Sequence, residues 1–188
     1  MNFTAKSFPT AFLRSTVALT TAVLSTFSTL SPASAVNFGQ KEVNQNKFIA
    51  VASPYGTNRY QLAIFEQISN KKSCWSEKGT SPTSVDLLLK KFDFTGICGR
   101  STDSNGYSIR KGGQDLGWRY ELYVVKQAQK LVLVGVNTTN RNLPPIEIGT
   151  TSGITNGVVK INLNPGWRFA KRTYNGKVLG HVYLTSDS

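Results

Sequence analysis

Histidine, methionine, cysteine and acidic residues are all scarce in this chain of 188 residues. It has one His, one Met, two Cys and ten Asp plus Glu, against 22 Lys plus Arg. Two cysteines and His181 cannot supply the four ligands of a structural zinc site. No cluster of metal-ligating side chains occurs, and no serine sits in a strand–turn–helix elbow of the hydrolase kind. No Pro/Ser-rich linker and no charge run divides the chain. These absences weigh against an enzyme, and no cofactor or metal is expected.

What is present begins with an address label. Lys6 and Arg14 are the only charges in residues 1–35, residues 17–30 are apolar with interspersed Ser and Thr, and Ala33, Ser34 and Ala35 form an A-x-A cleavage site. About 14 moderately apolar residues fall short of the roughly 20 that a bilayer span requires. The pattern predicts a signal peptide over residues 1–35 and an exported chain starting at Val36, without a membrane span. No arginine pair marks a twin-arginine signal, and no cysteine follows the cleavage site to carry a lipid.

The 153 residues that remain (188 less 35) have the size of one domain. Residues 36–47, rich in Asn, Gln and Lys, are expected to be flexible, with a single β-rich domain over residues 48–188. Removing Lys6 and Arg14 leaves 20 basic and ten acidic residues, a formal charge of +10. An excess of that size draws anionic partners over long range. For an exported chain those are envelope polysaccharide, wall polymer or lipid headgroups, and nucleic acid is not expected. Scattered positive charge also serves solubility alone. Cys74 and Cys98, an even pair bound for an oxidising compartment, are expected to form a disulfide. Closing a loop of about 25 residues corresponds to roughly 3 to 3.5 kcal/mol on the chain-entropy account.

Period-two patterns dominate the chain. Residues 48–52 are an apolar run, and residues 59–68 alternate imperfectly. Residues 118–136 read as a hairpin turning at 127–129. Residues 158–163, 167–174 and 178–184 give three further strands. Asn175-Gly176 between the last two is a two-residue hairpin turn, whose central positions need positive φ. Residues 82–91 carry one short helical pattern, Val85, Leu88 and Leu89, short enough to be a turn followed by a strand instead. The expected fold is mainly β, an antiparallel sandwich or barrel with at most one or two short helices. Arg59-Tyr60-Gln61-Leu62 echoes Arg119-Tyr120-Glu121-Leu122, a weak hint of duplication.

Residues 90–110 concentrate the structural instructions. Phe92, Phe94 and Ile97 are expected to point inward from a strand, Asp93 and Thr95 outward, with Gly96 permitting a kink before Cys98. Arg100, Ser101, Thr102, Asp103, Ser104 and Asn105 follow as a polar loop closed by Gly106. Asp and Asn favour such turns by folding back on their own amides. A calcium loop lacks its third ligand and closing glutamate. Asp93 paired with Asp103 or Asp115 would suit glycoside or peptide hydrolysis only at a fixed separation.

The runs FDFTGIC and RSTDSNGYSIR, then Asp115-Leu116-Gly117, and the earlier FIAVASPYG and YQLAIFEQIS, resemble an exported cyanobacterial family known as a domain of unknown function. The likeness covers about residues 38–185. It implies an envelope or lumen location and assigns no activity to any residue.

Near the end, aromatic and basic residues interleave through Trp167, Arg168, Phe169, Lys171, Arg172, Tyr174, Lys177, His181 and Tyr183. An aromatic and cationic face would suit stacking and sulfate or phosphate contact with carbohydrate or single-stranded nucleic acid. Such strands more often bury the aromatics and solvate the cations, however, and His181 is more often a packed or surface residue than a catalytic one. The expected function is a non-catalytic binding or structural module of the envelope. Its partner is an anionic polymer or a protein, met through Arg100, Ser101, Thr102, Asp103, Asn105, Tyr107, Arg110 and Arg119. The alternative is a wall- or glycan-directed hydrolase using Asp93, Asp103 or Asp115. The compartment is the periplasm, the outer surface or a thylakoid lumen.

Overall fold

The computed structural model describes residues 37–188, so the expected signal peptide lies outside the described residues. In chain order the strands are β1 (Gly39–Glu42), β2 (Phe48–Tyr55), β3 (Arg59–Gln67), β4 (Ser76–Lys78), β5 (Ser84–Asp86), β6 (Cys98–Ser101) and β7 (Tyr107–Lys111). There follow β8 (Gln114–Asp115), β9 (Tyr120–Gln127), β10 (Lys130–Asn137), β11 (Ile146–Thr150), β12 (Val159–Leu163), β13 (Arg168–Tyr174) and β14 (Lys177–Ser186). Two short 3-10 turns, Gln45–Lys47 and Leu88–Lys91, are the helical pieces among the described residues. The fold is mainly β.

Six strands close a barrel in the order β11–β10–β9–β3–β2–β12, and β12 returns to pair with β11. β5 and β4 continue beyond β12, and β6 pairs with the far end of β3. A second, curled sheet runs β1–β13–β14–β7–β8. Its pairs are antiparallel except β14 with β7, which run parallel.

Alternation decides where side chains go. Phe48, Ala50 and Ala52 of β2 share one buried cluster with Leu62 and Ile64 of β3, Leu131 and Leu133 of β10, Ile148 and Ile161. The intervening Ile49, Val51, Ala63 and Phe65 face outward, under a second cluster holding Cys74, Val85, Leu87, Leu89 and Cys98. β2 and β3 are therefore covered on both faces, which is why they read as apolar runs more than as clean alternation. The curled sheet plugs the barrel: Tyr107, Ile109, Phe169, Val182 and Leu184 join the first cluster. Gly135 of β10 makes room for the tip of Ile109.

The Cys74–Cys98 disulfide forms as expected, with its Cα atoms 5.8 Å apart. It ties the loop before β4 to the start of β6, and so holds the outer layer down on β2 and β3. The Asn175-Gly176 turn also forms as expected, with φ of 48° and 75°.

Several local expectations are corrected. Of residues 36–47, expected to be flexible, Gly39–Glu42 form β1 and Gln45–Lys47 a 3-10 turn. Their polar side chains complete neighbouring backbone and charge: Gln45 donates to the Phe169 carbonyl (2.9 Å) and accepts from its amide (2.8 Å). The Glu42 carboxylate accepts two hydrogen bonds from Arg168, at 3.0 and 2.9 Å. Residues 92–97, read as a strand, are a turn. Asp93 Oδ1 accepts from the Thr95 amide (3.0 Å), and Gly96 sits at φ +68°. Phe92, Phe94 and Ile97 do pack inward, on the second cluster. Residues 82–91 are β5 and a 3-10 turn, because the edge of β12 offers a partner: Val85 donates to the Val158 carbonyl at 2.9 Å. The two echoed tetrads head β3 and β9, but β3 is the returning strand of its hairpin and β9 the leading strand of its own.

Reducing the disulfide, or Cys98→Ser, is expected to lower the unfolding free energy by about 3 kcal/mol, read as an earlier denaturant midpoint. At the seam that closes the barrel, a Cβ on Gly149 would lie 2.7 Å from the Asn162 carbonyl oxygen and 2.9 Å from Ile161 Cγ2. Gly149→Ala is expected to cost ~1–3 kcal/mol. An unchanged midpoint would contradict this reading of the seam.

Candidate functional site

Inward residues of the curled sheet alternate with a polar row on its other face. Along β7, Tyr107 and Ile109 enter the core, and Ser108 and Arg110 lie between them. Along β14, Val182 and Leu184 enter, while His181 and Tyr183 alternate with them. The parallel register sets Tyr183 beside Ser108. β13 adds Arg172, which falls where its register with β14 shifts between Lys171 and Thr173. Such a bulge re-aims the side chain it carries. β8 adds Asp115.

These groups form one hydrogen-bonded network. Ser108 Oγ lies 2.8 Å from His181 Nε2, and His181 Nδ1 lies 2.8 Å from the Asn105 carbonyl oxygen. Arg172 Nη2 donates to Ser108 Oγ (3.1 Å) and to Asp115 Oδ2 (2.8 Å). Its Nε donates to the Tyr183 hydroxyl at 2.7 Å, which in turn donates to Asp115 Oδ2 at 2.6 Å. Asp115 Oδ1 accepts from the Gly117 amide at 2.9 Å. The guanidinium also lies over two rings, 4.5 Å from the centre of Phe38 and 4.9 Å from that of Tyr183.

Above the network opens a hollow of about 410 Å3, lined by Phe38, Ser104, Ser108, Asp115, Gly117, Trp118 and Arg172. Trp118 is 67 % exposed, and Arg119 stacks over its ring at 4.2 Å. A neighbouring hollow of about 170 Å3 shares Ser104, Ser108 and Gly117 and is otherwise lined by Tyr107, Tyr120, Glu121, Leu122 and Tyr123. Cationic, hydroxyl and aromatic groups thus meet at one place.

Burial pushes the His181 imidazole below its ordinary value. The Asn105 carbonyl opposes the shift, and the charge of Arg172 reinforces it. Burial and then the Asp115 carboxylate raise the Tyr183 phenol to about 12. Tyr107 is likewise pushed up to about 12, by burial and then by Asp103.

The residues anticipated in the 100–119 region divide among several settings. Asn105 reaches the network through its carbonyl oxygen. Arg110 stands beside it, over the Tyr183 ring at 5.4 Å and donating to the Phe38 carbonyl at 3.0 Å. Arg119 is at the rim, through its stack on Trp118. Arg100 instead lines a separate hollow of about 170 Å3 with Gln61, Phe65, Leu89, Phe94 and Thr102. Ser101 is buried in β6 opposite Ile64. The Thr102 carbonyl accepts from Gln61 Nε2 at 2.8 Å. Tyr107 is buried in the core.

The three carboxylates are each engaged by different partners. Asp93 caps its own turn, and the Thr95 amide holds its carboxyl below the ordinary value. Asp103 accepts from the Asn105 (2.9 Å) and Gly106 (3.3 Å) amides, an ordinary turn. Asp115 is ion-paired to Arg172. Among the described residues no group of three or more His, Cys, Asp or Glu is placed to hold a metal ion. The sequence reading passes over Ser108 and Phe38, and it expects Tyr183 and His181 packed and Arg172 solvated, whereas Arg172 is mostly buried on Asp115. Alternation in Tyr107-Ser108-Ile109-Arg110 carries the only trace of their shared face.

His181 ties this network to pH. The unfolded imidazole takes a proton near 6.5, and the folded one only at lower pH. The unfolded state therefore binds more protons in that window, so stability is full above about 6.5 and falls as the pH drops below it. Thermal unfolding is expected at a lower temperature at about pH 5.5 than at about pH 7.5, with a smaller difference in His181→Gln. Equal pH dependence in the two proteins would contradict the assignment.

No curated protein and no solved structure matches the chain. A family model does match, over residues 15–188, and its description is "Protein of unknown function (DUF3747)". The match covers every strand of the barrel and the curled sheet, and the chain belongs to that family.

Proposed function

We propose that the protein is an exported binding module of the cell envelope, and that it recognises an anionic polymer at the hollow bounded by Phe38, Trp118 and Arg172. The observation that carries this reading is Trp118. A tryptophan 67 % exposed, with the Arg119 guanidinium, unpaired among the described residues, stacked at 4.2 Å, lines a hollow that also holds Ser104, Ser108 and Arg172, the last ion-paired to Asp115. Exposed aromatic rings offer sugar faces an apolar platform, and cations beside them select for carboxylate or sulfate.

Charge supports the same partner. Six carboxylates are engaged in ion pairs with Lys91, Lys160, Arg168, Lys171 and Arg172. The other 15 of the 20 basic residues among the described ones form no ion pair there, and they supply the long-range attraction.

A disulfide fits an oxidising compartment, and no helix among the described residues is long and apolar enough to cross a membrane. We assign the protein to the periplasm, the outer surface or a thylakoid lumen, in keeping with the cyanobacterial resemblance of its motifs. Nucleic acid is not among its partners on this reading.

Calorimetric titration of the purified protein with a polyuronate and with a sulfated glycan tests the proposal. Binding is expected to weaken as salt rises toward about 0.5 M, where screening acts within about 4–5 Å. Trp118→Ala and Arg119→Ala are each expected to lose roughly tenfold in affinity, the scale of an interface residue worth 1–2 kcal/mol. Binding indifferent to salt, or to both substitutions, would overturn it.

A further inference from the structure

Ser108 and His181 are joined by a buried hydrogen bond whose direction can be read from the ring's other partner. The Asn105 carbonyl can only accept, so at 2.8 Å from it His181 Nδ1 carries the ring proton. Nε2 of the neutral ring is then the acceptor, and the Ser108 hydroxyl, 2.8 Å away, donates to it. This is the tautomer in which histidine draws a proton from serine, with a backbone carbonyl as the group that orients the ring. The Asn105 carbonyl is fixed by a turn that Asp103 caps.

We propose that Ser108, with His181 as its base, is the nucleophile of an acyl-ester hydrolase site. Ser108, 6 % exposed, lines both hollows. An ester spanning them places a small acyl group against Tyr120 and Leu122 on one side. Its alcohol portion then lies against Phe38, Trp118 and Arg172 on the other.

The reaction needs only water as a co-reactant. Ser108 Oγ attacks the ester carbonyl carbon, forming a C–O bond, while its proton passes to His181 Nε2 and the carbonyl π pair moves onto oxygen. Arg172 Nη2, 3.1 Å from Ser108 Oγ, is the donor beside that oxyanion. The tetrahedral species collapses, the bond to the alcohol oxygen breaks, and His181 returns its proton to the leaving alkoxide. Water then attacks the acyl-serine by the same route and releases the carboxylic acid and free Ser108.

Labelling at Ser108 reads the Ser108–His181 pair, whereas polymer affinity is read through salt and Arg119, so this activity and the polymer reading fail separately. The lowered proton affinity of His181 keeps its base form present at neutral and mildly acidic pH.

The test is covalent labelling of the full purified protein with diisopropyl fluorophosphate, located by peptide mass spectrometry, with p-nitrophenyl acetate hydrolysis alongside. One phosphoryl group is expected on the peptide containing Ser108 in folded protein, and none in protein unfolded in urea. His181→Gln is expected to label about 100-fold more slowly at an unchanged circular dichroism spectrum, the scale of a lost general base. Ser108→Ala should abolish both labelling and hydrolysis. Should either variant fail to fold, the position of the label on the native chain still decides. Absence of label on native protein, label on another serine, or equal labelling of folded His181→Gln would overturn the proposal.

Discussion

The parallel pairing of β7 with β14 is the constraint on which both the fold and the candidate site depend. Tyr107 and Ile109 of one strand, and Val182 and Leu184 of the other, enter the barrel from the same face of the sheet. Because side chains alternate, that choice sends Ser108, His181 and Tyr183 to the opposite face. A slip of one residue would exchange the two sets and bury the polar row in an apolar core. The apolar plug therefore fixes the register, and the register places Ser108 within reach of His181.

Around this pair the molecule is layered. The barrel interior and the outer cluster are both apolar, and β2 and β3 are shared between them. The disulfide clamps the outer layer, where strands are short and offer few hydrogen bonds of their own. On the far side of the curled sheet, stabilisation is polar: Arg172 and Asp115 are mostly buried as an ion pair, and Tyr183 and Ser108 satisfy their remaining donors and acceptors. A fully satisfied buried network of this kind specifies one arrangement, because removing any member leaves another unpaired. Packing fixes the strands, and the network fixes the side chains that the hollow presents.

Much of the architecture is legible in the sequence where its cause is local. Alternation over residues 118–136 and Asn-Gly at 175–176 announce two hairpins, and an even pair of cysteines behind an expected export signal announces a disulfide. What escaped has non-local causes. β1 is ordered by Gln45 and Arg168 across more than a hundred residues, so its polar composition reads as looseness. Residues 92–97 keep their apolar spacing while an Asp93 cap and a left-handed Gly96 turn the backbone. Within residues 90–110 the candidate site lies at the strand that follows the polar loop, where Ser108 and Arg110 alternate with core residues. Neither the parallel pairing to β14 nor the bulge at Arg172 leaves a mark in the sequence, so Arg172, His181 and Tyr183 read as one interleaved aromatic and basic run without the partners, Ser108 and Asp115, that the fold brings to them.

His181 is the only histidine in the chain, which makes its ring nitrogens an unambiguous reporter of the whole arrangement. Nitrogen-15 NMR of the imidazole distinguishes a protonated nitrogen from an accepting one directly. A neutral ring at pH 7 with the proton on Nδ1 and an accepting Nε2 is the predicted result. It requires the β7–β14 register, the Asn105 turn and the Ser108 contact together. A proton on Nε2, or a ring exchanging freely between tautomers and titrating near 6.5 as in an unfolded chain, would contradict the account at its centre.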